Sequence, residues 1–136
     1  MNPVLTPELY WLVLTTVMSG LFWIPYILQR ILENGALPAL LDPQGLTHMH
    51  AAWAQRMMRA HQNAVENLAI FAPLVLVLHV TGANTALTAT ACMVYLVARA
   101  AHFVIYTFAI PLFRTVVFLV GFGAQVVLAL TLLGIL

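Results

Sequence analysis

Four apolar stretches separated by short polar breaks organise the chain, over residues of about 9–28, 51–80, 86–109 and 115–136. Each is long enough to cross about 30 Å of hydrocarbon as a helix. Spans joined by short turns must run antiparallel, so the pattern predicts an all-α, up-down-up-down four-helix bundle forming one integral membrane domain over 1–136. Pro25 falls inside the first span and predicts a bend there. The second span is continuously apolar only from Leu68 to Val80. Its start near Ala51 implies a helix of about 45 Å, which carries Arg56 and Arg59 out to the headgroup region.

Within this oily pattern a polar stripe is written twice. Arg59, Asn63 and Glu66 recur at spacings of four and three, and Arg99, His102 and Tyr106 at spacings of three and four. With about 3.6 residues per turn, each set occupies one helical face. A charge inside a membrane helix costs about 2.5–3.5 kcal/mol on insertion scales, so each stripe needs a partner. That partner is either the other stripe or a polar ligand held between helices.

Composition narrows the choice. Hydrophobic residues make up 63% of the chain and charged ones 7%, far below the charge content of a soluble domain. The five cationic side chains are all arginines, with no basic run to follow phosphates, which excludes a nucleic-acid partner. The single cysteine, Cys92, cannot form an internal disulfide and reads as a packing residue. Met1 to Glu8 lacks a basic n-region, so the first apolar run is expected to be a retained helix. Arg30, Arg56, Arg59, Arg99 and Arg114 all lie in, or point toward, the side of the first and third loops. The positive-inside rule then predicts cytoplasmic loops one and three and both termini outside, in a bacterial-type inner membrane or its equivalent. Both stripes fall in the cytoplasmic half.

Glu66 is the most constrained of these residues, because a lone carboxylate cannot snorkel as arginine does. One reading pairs it with Arg59 or Arg99 and makes the stripes a structural lock. The other is a site for a small zwitterion or anion: arginines for carboxylates, Glu66 for an ammonium, Asn63 and Tyr106 for neutral hydrogen bonds. Arginine's planar fork suits carboxylates better than lysine does.

The run Arg59-Ala-His-Gln-Asn63-Ala-Val-Glu66-Asn, followed by Phe71-Ala-Pro73, resembles the hallmark segment of the MAPEG family, the membrane-associated proteins in eicosanoid and glutathione metabolism. A second match is Arg99-Ala-Ala-His102-Phe-Val-Ile-Tyr106, then a proline, Arg114, and Gly121-Phe-Gly123. The resemblance, which is of the microsomal glutathione transferase type, implies a homotrimer with a glutathione site between subunits, open to the cytoplasmic side. It places Arg59, Asn63 and Glu66 on the glutathione backbone, with Arg99, His102 and Tyr106 completing the site and Arg30 as a further carboxylate ligand. It implies that Arg114 stabilises the thiolate and that the Thr115 hydroxyl assists. The co-substrate would be a lipophilic electrophile or hydroperoxide reaching the site laterally from the membrane lipids. A guanidinium beside a thiol favours the nucleophilic thiolate, in keeping with that role. Gln62 departs from the basic residue of several animal members, and the turn between Tyr106 and Arg114 varies in length among members.

Other signals are weaker. His48, His50 and His61 do not share a helical face and supply no fourth ligand, so no metal site is expected. Two functions of other classes compete with a glutathione-dependent enzyme. One is a non-catalytic trimeric scaffold or lipid- or thiol-binding protein. The other is a small transporter, disfavoured by the lack of inverted halves.

Overall fold

In the computed structural model, which describes residues 4–136, the chain is all helical: α1 (Pro7–Leu21), α2 (Trp23–Asn34), α3 (Ala36–Leu40), α4 (Ala52–Thr81), α5 (Ala86–Thr107) and α6 (Phe113–Leu132). Four spans are long and apolar enough to cross a membrane, with α1 and α2 together forming the first, Pro7–Asn34. The start of the N-terminal tail, Met1 to Pro3, lies outside the described residues.

The first span breaks at Phe22, three residues before Pro25. Proline has no N–H for the carbonyl four residues back, and its ring crowds that same carbonyl, here Leu21, so the fault opens upstream of the proline. Phe22 then stacks flat on Phe103 of α5, centroids 3.6 Å apart, and the Tyr26 hydroxyl meets Nδ1 of His61 on α4 at 2.7 Å. Pro73, by contrast, sits inside α4 without ending it. The first span reaches Asn34 rather than stopping near residue 28, because Arg30, Glu33 and Asn34 all find partners in loop one.

That loop is held by side chains rather than by regular structure. Asp42 accepts from the Leu46 and Thr47 backbone amides and from the Thr47 hydroxyl. Arg30 donates Nε to Thr47 Oγ1 at 2.8 Å and Nη2 to the Thr47 carbonyl at 2.9 Å, with Asp42 at 3.3 Å. These hydrogen bonds, led by the Thr47 hydroxyl and then the Thr47 amide, hold the Asp42 carboxyl well below the usual carboxylate range. Glu33 accepts from the His50 and Ala51 amides, satisfying the start of α4 and placing negative charge at its N-terminus.

The core lies between α1, α4, α5 and α6, with Leu12, Phe71, Val75, Leu78, Tyr95 and Leu128 at its heart. Phe71 and Tyr95 stack at 3.8 Å. Thr85 and Thr88 cap α5 reciprocally, and Thr88 also meets Oε1 of buried Glu8 at 2.6 Å. Gly121 faces α5, where a Cβ would meet Ala98 Cβ and Arg99 Cδ at 3.6 Å, an ordinary contact distance.

Candidate functional site

Arg99 is the pivot of the polar region. It is 2% exposed, and its Nη2 donates to Asn63 Oδ1 at 2.6 Å, joining the two stripes directly. Neither ion pair considered from the sequence forms. Arg99 meets the amide and not Glu66, and among the described residues the only ion pair is Arg30–Asp42. A guanidinium buried without a carboxylate is a costly arrangement unless something anionic meets it. Its Nε and the Nδ1 of His102, itself 3% exposed, have no hydrogen-bond partner among the described residues.

From Arg99 the polar groups continue along α5 toward α6. The His102 ring lies 5.7 Å from that of Tyr106, and the Arg114 guanidinium covers the Tyr106 ring at 4.9 Å. Four residues of the sequence-derived set therefore form a connected row, and Asn63 joins it from α4. Arg114 and Thr115 are exposed and share a cavity of about 310 Å³ with Tyr106 and Arg56. This cavity lies under the α5–α6 turn, where Ala109 and Leu112 both adopt the left-handed backbone region that favours glycine. The turn falls two residues earlier than the sequence suggests: α5 stops at Thr107 and α6 starts at Phe113. Arg56 donates Nε to the Thr107 carbonyl at 2.8 Å, which satisfies part of the helix end.

The remaining residues lie apart from the row. Arg59 and Glu66 are exposed on α4. Arg59 shares a cavity of about 610 Å³ with Arg30, Thr47, His48 and His50. Arg30 is largely engaged in the loop through Thr47 and Asp42, so its Nη1 alone is without a bond in the described residues. His61 turns to Tyr26 and the first span, away from the stripe.

Two polar residues escaped the sequence reading. Gln125, 4% exposed, donates Nε2 to the Asn67 carbonyl at 3.1 Å, and Asn67 donates Nδ2 to the Asn63 carbonyl at 2.9 Å. This chain of amides ties α6 to α4 beside the Arg99 contact. The available signal was a lone amide within an otherwise apolar span.

Among the described residues, no three His, Cys, Asp or Glu side chains gather as a metal site. Set against known proteins, residues 9–134 match the family model described as the MAPEG family. No curated protein and no solved structure matches the chain.

Proposed function

Because the chain belongs to the MAPEG family, matched over 9–134, we propose that it is a membrane-bound glutathione-dependent transferase or peroxidase of the microsomal glutathione transferase type. The observation that carries this reading is Arg99: a buried cation, hydrogen-bonded to Asn63, with no carboxylate among the described residues to meet it. Such a group fits a ligand that brings its own carboxylate. Asn63, His102 and Tyr106 add neutral polar contacts around it, and Nε of Arg99 and Nδ1 of His102 are free to contribute.

Arg59 and Glu66 support a site shared between subunits. Both are exposed on a helix that lies largely within the membrane, where lipid is a poor neighbour for charge. They also belong to a longer seam. Arg59, Gln62, Glu66, Ala69, Pro73, Leu76 and Val80 are all exposed and alternate by three and four residues along α4. That repeat is the one by which helices pack against copies of themselves. A homotrimer assembled on this seam would bring Arg59 and Glu66 of one protomer against the next. Glu66 would take the glutathione ammonium there, and Arg59 and Arg99 its carboxylates, with Arg30 contributing its remaining Nη1. The arginine-bearing end is assigned to the cytoplasm.

Glutathione supplies a thiol that adds to an electrophilic carbon, or, as two molecules, reduces a hydroperoxide to alcohol and water with formation of the disulfide. Arg114 is the residue assigned to the thiolate, because its guanidinium is exposed in a cavity and unpaired by any acid. Thr115 lines the same cavity and offers a hydroxyl. An apolar groove of about 570 Å³ between α4 and α6, reaching Asn67 and Gln125, suits a lipophilic acceptor arriving from the bilayer.

The test is the melting temperature of the detergent-purified protein with increasing reduced glutathione, beside S-methyl glutathione. A saturable rise is expected, larger for the free thiol. At concentrations that saturate the parent it should be largely lost in Arg99→Gln and Glu66→Gln. No rise with either peptide would overturn the reading and leave the non-catalytic trimer.

A further inference from the structure

The distribution of charge at the arginine-bearing end leaves one cation without an anionic partner. Asp42 is committed to Arg30 and Thr47, and Glu33 to the start of α4. Arg56, Arg59, Arg99 and Arg114 then share Glu66 as the single uncommitted carboxylate at this end. Glutathione in its thiolate form would bring two carboxylates, one thiolate and one ammonium. Placed as proposed above, it satisfies Arg59, Arg99, Arg114 and Glu66. Arg56 remains.

Arg56 is not a free surface residue. Its Nε is fixed by the Thr107 carbonyl, and the residue lines the 310 Å³ cavity that Arg114 also lines. No acidic side chain borders this cavity; its walls are Ile105, Tyr106 and the turn from Ala109 to Leu112. Two guanidiniums from different helices facing one small space repel each other unless an anion lies between them. The surroundings are apolar: Leu112 of the lining is 75% exposed, and Phe108 and Phe113, which flank the turn in sequence, are each more than half exposed. Basic pockets between membrane helices with such surroundings take anionic lipid heads.

We propose that Arg56 and Arg114 form a seat for the anionic head, one phosphate or carboxylate, of an amphiphile whose apolar body lies along the exposed face of the α5–α6 turn. Arg56 is the fixed half of the grip, since its Nε bond to Thr107 sets its position. Arg114 is the shared half, positioned between this seat and the glutathione thiol. The seat thus places an amphiphilic ligand at the cation assigned to the thiolate. The glutathione reading decides only which arginine is left over; the cavity and its two cations stand without it.

The test uses the full chain in dodecyl maltoside, titrated with dodecyl phosphate and, as an uncharged control, dodecanol. A saturable rise in melting temperature at micromolar dodecyl phosphate is expected, with none from dodecanol. Arg56→Gln should weaken the effect tenfold or more. Arg59→Gln, which removes the same charge nearby, should leave it. Since Arg56→Gln also removes the Thr107 contact, Ile110→Asp provides a second variant that fills the seat with a carboxylate and spares that contact. It too should abolish binding. Equal losses in Arg56→Gln and Arg59→Gln, or parental binding by Ile110→Asp, would overturn the seat as a general charge effect. Short-chain phosphatidylglycerol and oleate distinguish the source: competition by the first assigns the bilayer, by the second alone a dissolved carboxylate. Competition by neither overturns the proposal. Glutathione titration of the same samples is read separately, so either inference can fail while the other stands.

Discussion

In the first half of α5, Thr85 and Thr88 cap the helix, Thr88 reaches Glu8 at 2.6 Å, and Tyr95 stacks on Phe71 inside the apolar core. In the second half, Arg99 and His102 are just as buried, yet Arg99 meets one amide oxygen and His102 Nδ1 meets nothing. One continuous helix therefore serves two ends. Its first half fixes the bundle by packing and local hydrogen bonds. Its second half holds a cation and an imidazole with no carboxylate beside them, which is what a binding site requires and what stability alone would select against. The unpartnered atoms of the first half are instead the second oxygen of a carboxylate already bonded to Thr88 and the Tyr95 phenol in the apolar core. The division falls near Tyr95.

The comparison is most severely tested at the stack itself. Phe71→Ala removes a ring that is fully buried against Tyr95 and should lower stability by about 3 kcal/mol or more. Chemical unfolding in detergent measures this, and glutathione affinity of the folded fraction should be nearly unchanged. Arg99→Gln should do the reverse. Its dissociation constant for glutathione should rise about 30-fold, a loss of about 2 kcal/mol, while the melting temperature holds or increases. A lower melting temperature with parental affinity would assign Arg99 to the stabilising half. A smaller effect is expected of Thr88→Val, which removes half of the capping box and the contact with Glu8. It should cost about 1–2 kcal/mol of stability with glutathione binding intact.

The smallest effect concerns loop one, outside both halves. Asp42 has its carboxyl held below the ordinary value near 3.8, so its contribution is fully present above about pH 4. It is lost only as pH falls further, through the lowered folded value. Protection of the Leu46 and Thr47 amides, taken against their intrinsic exchange at each pH, should accordingly hold from pH 7 to pH 4 in the parent and be lost throughout that range in Asp42→Asn. Equal exchange in the two proteins would remove Asp42 as the organiser of the loop.

The spans and the two stripes were legible because helical periodicity is local: a spacing of three and four fixes a face wherever the helix lies. The up-down order followed from short connections. What escaped depends on contacts between residues distant in sequence or on turn geometry. Arg30 was legible as a candidate ligand, but not that a loop 12 to 17 residues away folds back onto its Nε and Nη2 through Asp42 and Thr47. The contact of Arg99 with Asn63 rather than Glu66 depends on how α5 is rotated against α4, which spacing along either helix does not determine. Gln125 needed the α4–α6 approach, and the ends of α5 and α6 needed the left-handed residues of their turn. Pro25 signalled a bend, and only the rule that proline offends the carbonyl four residues back places its opening at Phe22.

That opening gives the first span the mechanics of a jointed lever. Above it, α1 is clasped by α4 and α5; below it, α2 rests chiefly on α4. Asn34 lies about 18 Å beyond the joint at 1.5 Å per residue. A tilt of about 10° at Phe22 would swing that tip by about 3 Å while the upper bundle stays still. Arg30 and the loop strapped to it belong to the lower arm, whereas Arg59 stands on α4. Their shared cavity therefore has a wall on each, and its aperture depends on the angle at a fault in a helix some distance away.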